Sequence, residues 1–435
     1  MWSIKHLRMK KGIFLFLIIT VIACNRNRQI ESIPVKTVED AERIGEKYDL
    51  GLERTDSETT YIDSHDCRDS EYYIPYDADS VFFDTRYIRV NFHVMDRELR
   101  DQNFKEGTGE AETYLPKLLE NANMRLRQNF KMNMPAGNET PQLNPRYQYV
   151  LVGRESDDDG IYYHYDDELY HFINHGRGKN NYKRDVIRKY AVNSGEVLNI
   201  FLTPHHPDSV ASKTYKEQNS GIALGTDIKM GCNWGAKRER YWKYATLLNH
   251  EIGHVMSLRH AWIRNDGCDD TPAHSRNWKP AENFDDGVTT NNVMDYNASQ
   301  MAFSPCQIGR VHKVMSLKDS KQRKLVVDDW CIYDSLNTIT IDRKVVFNGA
   351  KDINKDIIIE DGAYLLIKCR LSMAAEAKII VQPGGSLELD NCHLHNDCGD
   401  TWGGIELQKS NEKTGQLIYK GKVTIDDVYT GIKKE

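Results

Sequence analysis

With 435 residues, 40% of them apolar and 28% charged, the chain has the balance of a folded soluble protein. That excludes a disordered tail, a collagen and a polytopic membrane protein. At about 150 residues per domain the length allows two or three domains, each able to bury its own core. The net charge of -6 comes from 58 Lys and Arg against 64 Asp and Glu, interspersed along the chain. It leaves no basic stripe, so no nucleic-acid partner is expected.

The chain opens with Lys5, Arg8, Lys10 and Lys11 ahead of an apolar run from Ile13 to Ala23 that is too short to span a bilayer. This is the pattern of a signal peptide over 1–23. The run ends Val21-Ile22-Ala23-Cys24, which resembles the lipobox of bacterial lipoproteins. The resemblance implies cleavage before Cys24 and acylation of that cysteine, which would make a membrane a partner through the lipid. The other reading is an ordinary secretory signal cut nearby, and both export the protein. Asn25 is not the aspartate associated with inner-membrane retention, so the outer membrane or cell surface is the expected location. Eight further cysteines, Cys67, Cys232, Cys268, Cys306, Cys331, Cys369, Cys392 and Cys398, form an even set. In an exported chain that permits disulfides, with a connectivity that spacing does not give.

Residues 24–85 are polar and lack long apolar periodicity, which marks them as a tether and leader. Tyr87-Ile88-Arg89-Val90-Asn91-Phe92-His93-Val94 then alternates as a strand does, and 111–130 carries apolar residues at helical spacing with Pro116 near the start. Further strands are expected at 147–152 and 197–202. Residues 241–258 read as a helix with Trp242, Ala245, Leu248, Ile252, Val255 and Met256 on its apolar face. Strands and long helices in this order predict an α/β or α+β domain over 86–320.

The texture changes over 334–435. Ile357-Ile358-Ile359-Glu360-Asp361-Gly362-Ala363-Tyr364-Leu365 aligns with Ile379-Ile380-Val381-Gln382-Pro383-Gly384-Gly385-Ser386-Leu387 at an offset of 22. Short strands at that period predict an all-β module built as rungs of a parallel β-helix or other solenoid, with a β-sandwich as the alternative. A solenoid needs a cap, and none is visible before Glu435, so the module is expected to be incomplete.

His250-Glu251-Ile252-Gly253-His254 carries the chemistry. Histidines four apart lie one above the other on a helix, so both imidazoles reach one zinc ion. Glu251 can then lean toward the remaining coordination position and act as general base on a water there. His260 follows six residues after His254. In an unbroken helix it would lie about 15 Å along the axis from His250, so the helix must break near Ser257 if His260 is a third ligand.

With these residues the sequence resembles a metzincin metalloprotease, whose pattern is HExxHxxGxxH followed by a Met-turn. The resemblance implies zinc held by His250, His254 and His260, with Glu251 as catalytic base. Ser257 stands where the family has glycine, and a left-handed turn there costs serine on the order of 1 kcal/mol. Asp269-Asp270-Thr271-Pro272, Asn291-Asn292-Val293-Met294-Asp295-Tyr296, Phe303-Ser304-Pro305-Cys306-Gln307 and Arg310 follow in order. Together they resemble the pappalysin-like metzincins, a group that includes ulilysin, and Phe92-His93-Val94 resembles that group's first strand. The resemblance covers about 86–318. It implies a hydrophobic floor at Met294, a Tyr296 hydroxyl that steadies the tetrahedral intermediate, and a peptide or protein substrate added as a strand at a sheet edge, for which 221–230 is the candidate.

Some members of that group bind calcium, so a structural calcium is carried by the resemblance, though no pattern locates it. Glu155, Asp157, Asp159, Gly160 and Asp166 only loosely follow an EF-hand loop and read as a solvated acidic loop. His205-His206-Pro207-Asp208 reads as a loop as well. Cys67 is expected in a disulfide, with a metal-blocking thiolate as the alternative. The expected function is a secreted, lipid-anchored zinc endopeptidase. The rival is a surface adhesin or glycan- or protein-binding lipoprotein in which the metzincin domain is incidental; an intact Glu251 argues against it, because binding needs no general base. Oligomeric state and substrate identity are not legible.

Overall fold

The structure is a computed structural model that describes residues 30–48, 65–134, 138–176, 178–212, 220–231, 234, 241–273, 290–296 and 300–430. The expected signal peptide, Cys24 and Cys232 lie outside the described residues. No helix among the described residues is long and apolar enough to cross a membrane.

Strand β1 (Glu31–Val35) and helix α1 (Val38–Tyr48) come first, followed by 3-10 turns at His65–Arg68, Ser70–Tyr73 and Asp77–Phe82. The next elements form a mixed α/β unit. They are β2 (Arg86–Asp96), α2 (Glu110–Gln128), β3 (Tyr147–Leu151), β4 (Ile161–Tyr165), α3 (Asp185–Tyr190), β5 (Leu198–Thr203), α4 (Pro207–Ala211), β6 (Ser220–Leu224), β7 (Asp227–Gly231), α5 (Tyr241–Val255) and α6 (Pro305–Ser316). The strands expected near 87–94, 147–152 and 197–202 fall on β2, β3 and β5, and the two long helices on α2 and α5.

The sheet runs β3-β2-β5-β7-β6, with β4 paired to the second half of β2. Every pairing is parallel except β6 with β7, a hairpin that leaves β6 at the edge. The sheet is covered on both faces, and in β2 one face is apolar while the other carries buried Asn91 and His93 beside Met95. Ile88, Val90, Phe92 and Val94 pack with Leu115, Leu118 and Ala122 of α2 and with Ala245, Leu248 and Ile252 of α5. On the opposite face Met95 and Phe201 pack with Tyr170 and with Val186 and Ile187 of α3.

Two local expectations change. Pro116 lies inside α2 rather than at its start, where it forgoes the bond to the carbonyl four residues back. Trp242 is 43% exposed, because the first turn of α5 runs past the core that buries Ala245, Leu248, Ile252 and Val255.

The remaining strands are β8 (Thr338–Ile341), β9 (Lys344–Phe347), β10 (Lys351–Ile353), β11 (Asp356–Ile359), β12 (Tyr364–Ile367), β13 (Arg370–Met373), β14 (Lys378–Val381), β15 (Ser386–Asp390), β16 (His393–His395), β17 (Gly404–Lys409), β18 (Gln416–Lys420) and β19 (Thr424–Ile425). They form three parallel ladders, β8-β11-β14-β17, β9-β12-β15-β18 and β10-β13-β16-β19, which the chain visits in rotation. Like side chains stack inward along each ladder. Ile339, Ile357, Ile379 and Ile405 form one buried column, and Val345, Leu365, Leu387 and Leu417 another.

The N-terminal stretch is built into this module. β1 pairs antiparallel with β17, so Ile33 lies opposite Leu407 and Val35 opposite Ile405, and both enter the module's core with Ile44 of α1. Strand β1 thus covers the β17 edge of this ladder. Phe82 packs edge-on against Phe347 at the other end of the stack, and Cys67 is bonded to Cys369. That disulfide removes Cys67 as a metal-blocking thiolate. Among the described residues Cys268–Cys306 and Cys331–Cys398 are the other bridges, and Cys392 is a buried free thiol.

Between the two units lies buried Asp352. It accepts from Arg323 at 2.7 Å, pairs with Arg370 at 2.8 Å, and has Arg86 of β2 at 3.5 Å. Burial alone would push its carboxyl up, but the three guanidiniums outweigh that and hold it well below the usual carboxylate range.

Candidate active site

Helix α5 presents its apolar residues to the sheet and turns His250 and His254 to one side, four apart on one face. After Val255 the helix stops. Ser257 has φ of +70°, its amide bonds His254 O at 3.0 Å, and the Leu258 amide reaches back to Gly253 O at 2.9 Å. This pair of bonds around a left-handed residue is a Schellman end, with serine at the position glycine usually takes. Arg310 donates to Ser257 O at 3.1 Å, and Gln322 donates to Val255 O at 2.8 Å and Ser257 Oγ at 3.3 Å. The chain is thereby reversed, and His260 comes back to the helix.

The three imidazoles converge. His254 Nε2 lies 3.2 Å from His250 Nε2 and 3.0 Å from His260 Nε2. His250 Nδ1 sits 2.6 Å from Val293 O, and His254 Nδ1 sits 2.9 Å from Leu258 O. A ring nitrogen facing a carbonyl must donate, so these partners assign the proton to Nδ1 and leave a lone pair on each Nε2. Two such lone pairs in contact repel unless a cation lies between them. Ligand nitrogens about 2.05 Å from a tetrahedral centre are roughly 3.3 Å apart, close to the spacing here, so the set fits zinc. Burial, followed by the neighbouring His254, pushes the His250 pKa down to about 3, and burial lowers that of His254. Both rings are therefore neutral, as ligands must be.

Glu251 is 4% exposed and turns toward β6, where the Ala223 amide donates to its carboxylate. Burial pushes its pKa up to about 8, which the amide partly offsets. A dication beside it would draw the value back down. The expected edge segment 221–230 is the β6–β7 hairpin, and β6 is the strand beside α5.

Met294 is fully buried against α5, where a Cβ on Gly253 would come within 2.5 Å of its sulfur. Its carbonyl takes the Ala261 amide at 3.2 Å, which ties this turn to the residue after His260. Tyr296 is 64% exposed, its ring 4.9 Å from that of His260 and 5.9 Å from that of His250. The remaining motifs form one support. Asp270 accepts from Ser304 Oγ at 2.7 Å and the Cys306 amide at 2.9 Å, which caps α6. Asn292 and Gln307 exchange two amide bonds, at 2.9 and 3.1 Å, between the Met294 turn and α6.

Sequence reasoning missed Trp262, whose ring stacks on His260 at 4.0 Å and 12°, and Gln300, which donates to Asp295 O at 2.6 Å beside His250. No periodicity or motif marks either position. Cys268, Asp270 and Cys306 also cluster, but the two cysteines are joined as a disulfide and offer no thiolates. In the acidic loop, Asp158 binds the Arg154 and Gly160 amides, and Asp166 pairs with Lys189 at 2.8 Å.

Fold and site together define a class: a mixed α/β domain in which one helix and the turn after it bring three histidines together. No family model matches the chain, and no curated protein matches it. Among solved structures it is similar to mirolysin. Mature Tannerella forsythia mirolysin in complex with a cleaved peptide is 20% identical, over 55% of this chain and 95% of that one, with a TM-score of 0.37. Mirolysin in complex with compound 9 is 19% identical over 56% and 96%, with a TM-score of 0.35. A Tannerella forsythia promirolysin mutant is 18% identical over 56% and 84%, with a TM-score of 0.37. At that distance the likeness carries no argument about activity.

Proposed function

We propose that the chain is an exported zinc endopeptidase of the pappalysin-like metzincin kind, anchored to a membrane by a lipid on Cys24. The observation that carries the catalytic part is the convergence of three imidazole Nε2 atoms within 3.0–3.2 Å contacts, beside a buried Glu251 at the edge of a sheet. His250, His254 and His260 would hold the metal. When bound, zinc supplies a Lewis acid that polarises the scissile carbonyl and makes water a nucleophile near neutral pH.

The chain's own groups do the rest. Glu251 takes the proton of the attacking water and delivers it to the leaving amine, so protons balance over the cycle. Tyr296, at the exposed rim, donates a hydrogen bond to the oxyanion. An extended peptide adds along the free edge of β6, whose main-chain groups supply affinity without reading sequence. The lipid anchor, the outer-membrane location and a structural calcium rest on sequence resemblance. The three ladders, visited in rotation with stacked apolar columns, support reading the C-terminal module as coils of a parallel β-helix.

Zinc stoichiometry tests this reading. Elemental analysis should find zinc in the purified protein and little in His260→Ala, and chelation should abolish peptide hydrolysis that zinc then restores. Equal zinc in both proteins would remove His260 from the ligand set, and hydrolysis indifferent to chelation would sink the proposal.

A further inference from the structure

Gly221 lies in β6 without a positive φ, so its backbone does not call for glycine. What calls for it is the space beside it. A Cβ at Gly221 would come within 2.5 Å of Glu251 Cγ, 2.6 Å of Oε1 and 2.8 Å of Cδ. Real atoms do not approach so closely, and the neighbour would have to move. Because Cγ is set by χ1 alone, no adjustment further out relieves the contact, and a change of χ1 swings the whole carboxylate away. Two residues on, the Ala223 amide donates to the same carboxylate. Among the described residues β6 pairs with β7 alone, and an amide given to Glu251 is not spent on that pairing, so it faces the other edge.

We propose that Gly221 is a positioning residue: by having no side chain it lets the edge strand close on Glu251 and fixes the rotamer from which this glutamate acts. The inference rests on the endopeptidase reading for its catalytic meaning, but the packing claim stands apart from it. The pair Gly221 and Ala223 puts the smallest side chains where the carboxylate, the edge strand and an added peptide must meet.

The test uses the full chain and Gly221→Ala in two backgrounds. With Glu251 present, the added methyl should lower Tm by roughly 2–4 °C. With Glu251→Ala, which removes Cγ, the fall should vanish, because the methyl then has room. In the wild-type background kcat should drop by about 100-fold, as expected for a displaced catalytic group. KM should stay within about threefold and zinc content should be unchanged. If Gly221→Ala does not fold, folding restored by Glu251→Ala supports the claim, and failure in both backgrounds overturns it. Equal Tm losses in both backgrounds, or a kcat within about threefold of wild type, would also overturn it. Equal hydrolysis by wild type and Glu251→Ala would instead bring down the endopeptidase reading, with the Tm comparison still deciding whether Gly221 accommodates Glu251.

Discussion

Ser257 carries a left-handed backbone so that His260 can return to the helix it has just left. Serine adopts that conformation at a cost on the order of 1 kcal/mol, and its carbonyl and hydroxyl are held by Arg310 and Gln322. Ser257→Gly should therefore gain up to about 1 kcal/mol, reduced by the lost Gln322 contact, with zinc content unchanged. Denaturant unfolding reads this, and a loss of stability above about 1 kcal/mol would show that serine is held for a reason the turn does not explain. His250, Glu251, His254 and the break near Ser257 were legible because helical spacing and the reach of a metal leave few alternatives. Trp262 and Gly221 were not, because a stacking ring and a missing side chain matter only once other elements have been brought against them.

Helix α6 shows how separate motifs become one support. Pro305 opens it, Ser304 and Gln307 close a capping box, and Asp270 caps it from the segment beyond the metal site. Asp270→Ala should cost roughly 1–2 kcal/mol and, through Gln307 and Asn292, loosen the Met294 turn. Urea melts should show the first effect. Faster amide exchange at 291–295 should show the second, and unchanged exchange there would mean that the motifs are not coupled. The motif order was readable from sequence, but the hydrogen bonds that join the motifs were not. The repeat was readable over one interval only. Ile357 pairs with Ile379 and Leu365 with Leu387 at the same offset, whereas Ile339 pairs with Ile357 and Leu387 with Leu417 at others. Loops of changing length between the strands erase the period without disturbing the stack.

Across the whole molecule, the two units meet at a carboxylate shared by three arginines. Asp352→Asn should cost about 3–5 kcal/mol at neutral pH, because it leaves buried guanidiniums without their counter-charge. The Asp352 carboxyl is held below its ordinary value, so its contribution is complete above about pH 4 and is lost as pH falls below that. The stability gap between wild type and Asp352→Asn should therefore be flat from pH 8 to about 5 and narrow in acid. A gap that widens in acid would reverse the assigned charge logic. The part that β1 plays was hidden because its partner β17 lies at the far end of the chain. Polar composition over 24–85 describes a surface strand as well as it describes a tether.

The central claim is peptide-bond hydrolysis by Glu251 at a site of three histidines. Its most direct test mixes the zinc-loaded protein with a complex peptide library and reads the products by mass spectrometry beside Glu251→Ala. The account predicts internal cleavages in the wild-type digest that are absent from the variant, while both proteins hold the same zinc. The same cleavages in both digests, or none in either with zinc bound, would contradict it.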